Sequence, residues 1–336
     1  MSQNNYIKEI VKYSLENKQE KLLLALNELI TYSQQTKKVN FALQLQSILK
    51  EGLKYQQTKG LAKVGSTKFL LKEEEKVIDN LIIEKLTSDY NLDNIVCHKN
   101  IKEELDFFIK EHQSINILRN YDLPVSNKIL FHGPSGCGKT LASYVLAGEL
   151  EKLMLVINLG AIVSSKLGET SKNLSAIFKK AASEDCIIFL DEFDSIGKLR
   201  DYSQDHGEMK RVVNTILQLF DYLPQNTIVI AATNQVDMID DALLRRFDVK
   251  LNLDLPSKLE IRELVKLSLK KSPFKISDKK RLSQIISLLK GCSFYEVQKT
   301  LVSAIKRTLF NQVDKENTSY EIDLDIWETL IKNEKY

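Results

Sequence analysis

The chain has 336 residues, 43% hydrophobic and 28% charged, with a formal net charge of +3. Its length accommodates two or three compact units, since domains run about 100–200 residues, and its composition is that of a globular protein. So small a charge gives no bulk electrostatic reason to bind nucleic acid, and the absence of any apolar run near the ~20 residues a bilayer requires argues against a membrane span.

The first residues, Met1 to Tyr13, carry Lys8, Glu9 and Lys12 among apolar positions, which is not the core of a signal peptide. From Tyr6 to about Leu53 apolar residues recur at helical spacing: Ile7, Ile10, Val11 and Leu15; Leu22, Leu23, Leu26, Leu29 and Ile30; then Phe41, Leu45, Ile48 and Leu49. The pattern predicts an N-terminal helical bundle over residues 1–55. Residues 56–90 are mixed and charged, and read as a connector with some helix and no visible chemistry.

Beyond Leu92 the pattern changes. Short runs rich in β-branched residues appear at Lys128–His132, Met154–Leu159, Cys186–Leu190, Thr227–Ala231 and, more weakly, Val249–Leu253. Amphipathic helical stretches separate the first four, so residues 91–256 predict an α/β unit, a parallel sheet with helices on both faces. Helical spacing returns over residues 257–336, in Lys258–Lys271, Asp278–Leu289, Ser293–Phe310 and Asp323–Lys332. The four cysteines, Cys97, Cys137, Cys186 and Cys292, have no metal or redox spacing and read as reduced thiols of a cytoplasmic protein.

Gly133-Pro134-Ser135-Gly136-Cys137-Gly138-Lys139-Thr140 has the spacing of a phosphate-binding loop, placed between an expected strand and an expected helix. The glycines let successive backbone N–H groups curl inward toward a phosphate, and the helix presents its positive end to the same anion. Lys139 would neutralise β- and γ-phosphates, and the Thr140 hydroxyl would ligate Mg²⁺, with Leu141 following as a further nucleotide contact. Cys137 is either a small filler or, at a helix N-terminus, a thiol of raised reactivity.

The strand Cys186–Leu190 ends in Asp191-Glu192, which places two carboxylates at the carboxyl edge of the sheet beside that loop. Asp191 would hold Mg²⁺ through water and Glu192 would activate the attacking water. Asn234, after Ala231-Ala232-Thr233, reaches the γ-phosphate or is a turn residue. Arg245 and Arg246 are either a solvated helix end or an arginine finger for a neighbouring subunit.

Taken in order, these motifs and the lead-in Leu92-Asp93-Asn94-Ile95-Val96-Cys97 resemble the AAA ATPases, over Leu92 to Val297. The resemblance implies a P-loop NTPase core with a small helical lid after it, binding ATP and Mg²⁺. It marks Ile95, Val96, Cys97 and His98 as base contacts and the Gly291-Cys292-Ser293 segment, with Gly291 and Ser293, as the lid's nucleotide contacts. It also implies a ring, commonly a hexamer, that remodels a protein. Ser164-Ser165-Lys166-Leu167-Gly168-Glu169 falls at the channel-loop position, but Lys166 stands where many translocating members carry an aromatic residue. The contiguous Arg245 and Arg246 also depart from relatives that separate the pair. The N-terminal helices resemble those of bacterial members encoded beside subtilisin-like serine proteases, which makes such a protease a candidate partner. The expected activity is Mg²⁺-dependent ATP hydrolysis coupled to a protein partner; a slow nucleotide-dependent scaffold is the alternative.

Overall fold

In a computed structural model, the chain is described over residues 3–15, 19–36, 42, 45, 82–157, 159, 169–198, 206–270, 272–312 and 320–334. Elements are numbered in chain order over those residues. Two N-terminal helices, α1 (Gln3–Leu15) and α2 (Gln19–Gln35), pack on each other, with the rings of Tyr6 and Tyr32 in contact at 5.6 Å. The third expected helical set, around Phe41 to Leu49, lies largely outside the described residues.

The central unit is a six-stranded sheet in the order β1-β3-β4-β5-β2-β6, from β1 (Ile82–Leu86), β2 (Lys128–His132), β3 (Met154–Ile157), β4 (Ile187–Leu190), β5 (Ile228–Thr233) and β6 (Val249–Asn252). Five strands run parallel, as the sequence predicts, and β1 joins the edge antiparallel to β3. β1 falls in the stretch read as a connector with some helix. Its short run offers too little alternation to betray a strand, and its pairing with β3 is a long-range contact.

The strands read as unbroken apolar runs because both faces are covered. Leu130, Leu155, Ile188 and Val229 point into one core with α6 (Glu169–Glu184) and α8 (His206–Asp221). Their neighbours Ile129, Met154, Ile187, Phe189 and Ile230 point into the other, with α3 (Lys99–Gln113) and α5 (Lys139–Glu149). This alternation, one residue to each face, makes three layers. Short helices α4 (Ile115–Asn120), α7 (Ser195–Lys198) and α9 (Asp241–Leu244) complete the unit.

After β6 comes a helical lid of α10 (Lys258–Leu269), α11 (Lys279–Leu288), α12 (Phe294–Gln312) and α13 (Leu324–Glu334), with a two-residue strand pair, β7 (Phe274–Lys275) and β8 (Tyr320–Glu321). Its own core surrounds Trp327, whose indole N–H donates to Thr300 Oγ1 at 3.2 Å. The α10 and α11 starts are fixed by side-chain caps: Ser257 with Glu260 forms a capping box on α10, and Asp278 accepts from Lys280 N and Arg281 N on α11.

Candidate active site

From β2 the chain crosses over β5 and β4 to reach β3, returns through β4 and β5, then passes β2 to β6. β2 is therefore where the winding reverses, and the crevice outside its carboxyl end is where open parallel sheets bind ligands. Register fixes what meets there. His132 pairs with Thr233 and Leu190 with Ala231, so Gly133, Asp191, Glu192 and Asn234 all follow strand ends at one edge of the sheet.

Gly133 has φ +128°, and a Cβ there would lie 2.3 Å from the Leu253 carbonyl oxygen, so no larger residue fits between β2 and the end of β6. Gly136 has φ +73° and packs under the lid: a Cβ would come within 2.8 Å of Ser293 Oγ. Pro134 and Ser135 are exposed, while Thr140 and Leu141, in the first turn of α5, are half-buried. Lys139 is only 8% exposed, and its ammonium donates to the carbonyl oxygens of Gly133 at 2.8 Å and Pro134 at 2.7 Å. Burial depresses its pKa; the carboxylates of Asp191 and Asp194 act in the opposite direction. Cys137 is buried, and burial pushes its thiol up despite Lys139 nearby. Of its two readings, the small filler fits this geometry; a thiol of raised reactivity does not.

The paired acids sit on a strained turn. Glu192 has φ +49°, a left-handed conformation costing a non-glycine residue about 1–2 kcal/mol. Neighbouring bonds hold it there: Glu192 N donates to Asp191 Oδ1 (2.9 Å), Phe193 N to Ala232 O (2.8 Å) and Ser195 N to Glu192 O (2.8 Å). Phe193 is fully buried and meets Phe247 edge-on at 5.7 Å, which in turn meets Phe220 at 5.4 Å. Below the acids, Thr233 Oγ1 donates to the buried Asp194 Oδ1 at 2.9 Å and accepts from Gln235 N, joining the ends of β4 and β5. Strain so over-determined is a mark of functional turns. Asn234 stands exposed beyond β5.

The lead-in segment and lid are tied together. Ile95 is buried in the core under α3 and α5, Val96 is half-buried, and burial raises the half-buried Cys97 thiol to about 11. His98 Nδ1 contacts Glu260 Oε1 at 2.6 Å, while Glu260 Oε2 accepts from Ser257 N. Gly291, at φ +89°, ends the turn after α11. Ser293 Oγ donates to Glu296 Oε2 and accepts from Glu296 N, capping α12. Tyr295 N donates to Gly136 O at 3.1 Å, so the start of α12 rests directly on the loop.

Arg245 and Arg246 are not brought to this edge. They precede β6, and Asp248, two residues on, accepts from Asn127 N and Lys128 N at the opposite, amino edge of the sheet. Residues Val249 to Asn252 span about 10 Å at ~3.3 Å per residue, which separates the arginines from their own loop. Arg246 pairs with Asp221 at the end of α8, Nε to Oδ1 at 2.9 Å and Nη2 to Oδ2 at 3.2 Å. Arg245 is exposed. Of the candidate channel loop, Ser164 to Gly168 lie outside the described residues, Lys166 and Leu167 among them.

Sequence reading missed Asp194, Thr233, Glu260, Tyr295 and Asp221. Asp194, a third carboxylate two places after Glu192, was a visible signal. The others act through partners distant in sequence, which periodicity does not reveal.

Residues 129–255 match the model of the ATPase family associated with various cellular activities (AAA). An uncharacterized AAA family ATPase of Sinorhizobium fredii is 35% identical over 230 residues, 68% of each chain. A protein of Methanocaldococcus jannaschii described as a 26S proteasome regulatory subunit homolog is 32% identical over 190 residues, 55% of this chain and 51% of its own.

Proposed function

The chain belongs to the AAA family of ATPases and is an ATP hydrolase, and from that premise we propose that it works as a ring of identical subunits, a hexamer in the common form, that remodels or regulates a protein partner. One observation carries this reading. The loop, Lys139 and the acids stand at one edge of the sheet and the arginine pair at the other, so a single subunit does not complete its own site. A second copy, presenting its arginines to the first copy's carboxyl edge, does.

In this reading the backbone N–H groups of Ser135–Thr140, including those of Gly136, Cys137 and Gly138, cradle the triphosphate. Lys139 exchanges its two loop carbonyls for phosphate oxygens, which stay charged where the carbonyls are neutral. Among the described residues no three His, Cys, Asp or Glu cluster into a metal cage. A hydroxyl (Thr140) and a carboxylate (Asp191) are hard oxygen donors suited to Mg²⁺, which ordinarily takes one or two protein ligands plus phosphates. Mg²⁺ would there neutralise charge on the β- and γ-oxygens. Glu192 accepts the proton of the attacking water, Asn234 orients that water, and an arginine from next door stabilises the transition-state charge. Ile95, Val96, His98, Gly291 and Ser293 wall the base, and the His98–Glu260 contact keeps lid and lead-in segment closed over it.

The N-terminal bundle selects the partner. Ile7 and Val11 on α1 and Leu24 on α2 are exposed, an apolar surface open for docking. The partner class suggested by the bundle's resemblance is a subtilisin-like serine protease. Glu192→Gln protein tests the reading: it should bind ATP with Mg²⁺, turn over at a rate lower by two or more orders of magnitude, and accumulate as one ring species by light scattering. A wild-type specific activity that is independent of protein concentration, from a species that stays monomeric with ATP, would refute the shared site.

A further inference from the structure

A cavity of about 500 Å³ lies between β1, the segment after it and α5; its walls include Glu84, Leu86, Asp89, Tyr90 and Tyr144. The rings of Tyr90 and Tyr144 are nearly parallel, 12° apart in plane with centroids at 6.4 Å. The wall is preformed: a Cβ on Gly148 would sit 1.9 Å from Tyr90 O, so the segment lies hard against α5. Glu149 Oε1 on α5 fastens it there by accepting from Leu92 N, and within the segment Ser88 Oγ accepts from Tyr90 N.

Among the described residues the lining carries two carboxylates, Glu84 and Asp89, and no Lys, Arg or His; Lys85 lies on the other face of β1 by strand alternation. Burial first, then the charge of Glu84, push the Tyr144 phenol up, so the ring stays neutral beside that carboxylate. Neutral tyrosine faces attract cations, and carboxylates repel phosphates and acidic peptides. Parallel ring planes suit a flat group better than a tetrahedral ammonium, and the guanidinium is flat, weakly hydrated and rich in donors.

We propose that this cavity is a docking site for an arginine side chain presented by a protein partner, held over Tyr90 and Tyr144 and paired with Glu84. Its described lining shares no residue with the ATP-hydrolysing centre, and its occupancy does not depend on the ring. The chain's formal net charge of +3 opposes polycations in bulk, so any such affinity is local.

Calorimetric titration of the full chain with a hexa-arginine amide at low ionic strength tests it, with hexa-lysine, hexa-glutamate and spermidine as comparison probes. Hexa-arginine should bind saturably and more tightly than hexa-lysine. Tyr144→Leu should weaken it about 2- to 30-fold and Glu84→Gln about 2- to 5-fold, with ATP turnover of the Glu84→Gln protein unchanged. Tyr144→Phe, which keeps the ring face, should retain the affinity and so separate ring loss from misfolding. No saturable binding, or binding indifferent to both Tyr144→Leu and Glu84→Gln, overturns the site. Equal affinity for hexa-lysine overturns the guanidinium assignment, and spermidine binding as tightly as the peptide overturns the protein partner.

Discussion

The two adjacent arginines differ in what holds them, and the difference has a measurable size. Arg246 makes a two-pronged contact with Asp221, but the side chains are 47% and 46% exposed. A half-exposed pair of that kind is worth about 0.2–1 kcal/mol. A transition-state arginine is worth about 10³–10⁵ in turnover, or ~4–7 kcal/mol. If Arg246 is engaged within its own subunit and Arg245 reaches the neighbour, Arg245→Ala should lower kcat by at least about a thousandfold with little change in ATP affinity. Arg246→Ala and Asp221→Ala should each cost no more than about fivefold, and their double mutant no more than either alone, because both remove one contact. The assay is steady-state hydrolysis of each variant, followed by mixing with Glu192→Gln protein. Arg245→Ala subunits keep an intact Glu192, and Glu192→Gln subunits supply an intact Arg245, so activity should reappear at mixed interfaces. A thousandfold loss in Arg246→Ala with full activity in Asp221→Ala would refute the assignment: Arg246 would then be leaving Asp221 to serve the next subunit.

Two further outcomes follow from the interior. Cys186 is fully buried, and burial, then the carboxylates of Glu184 and Asp185, push its thiol up to about 12. Unfolded thiols ionise near about 8.5, so stability from this group is intact below that pH and is lost as pH rises toward 12. The denaturant midpoint should fall between pH 7 and about pH 10, and Cys186→Ala, though less stable at pH 7, should lose less over the interval; an equal or steeper loss would refute the linkage. Phe193→Ala should cost about 3–5 kcal/mol by thermal or denaturant unfolding, since Phe193 is fully buried against Phe247. It should also lower turnover beyond that, by releasing the strained Glu192; a stability loss under ~1 kcal/mol would mean that the ring does not wedge the turn.

Much of the fold was legible because its signals are local. A strand covered on both faces is apolar along its middle, so the runs at Lys128–His132, Cys186–Leu190 and Thr227–Ala231 announced themselves by their apolar centres. The phosphate-loop spacing is contiguous, and Asp191-Glu192 directly follows its strand. β1 escaped notice because an edge strand of five residues is defined by its partner, β3, some seventy residues away.

What the sequence settled by itself is the set of chemical groups and the order in which they follow strands, because parallel strands that end together bring the residues after them to one edge. What only the tertiary structure decided is which groups share that edge and which are engaged elsewhere. Register carries Asn234 to the level of Gly133 but leaves Arg245 and Arg246 at the far edge, and Asp221, on another helix, occupies Arg246. Tyr295 meets Gly136 through a lid contact across more than 150 residues. Such pairings arise from the packing of separate elements, and no local pattern encodes them.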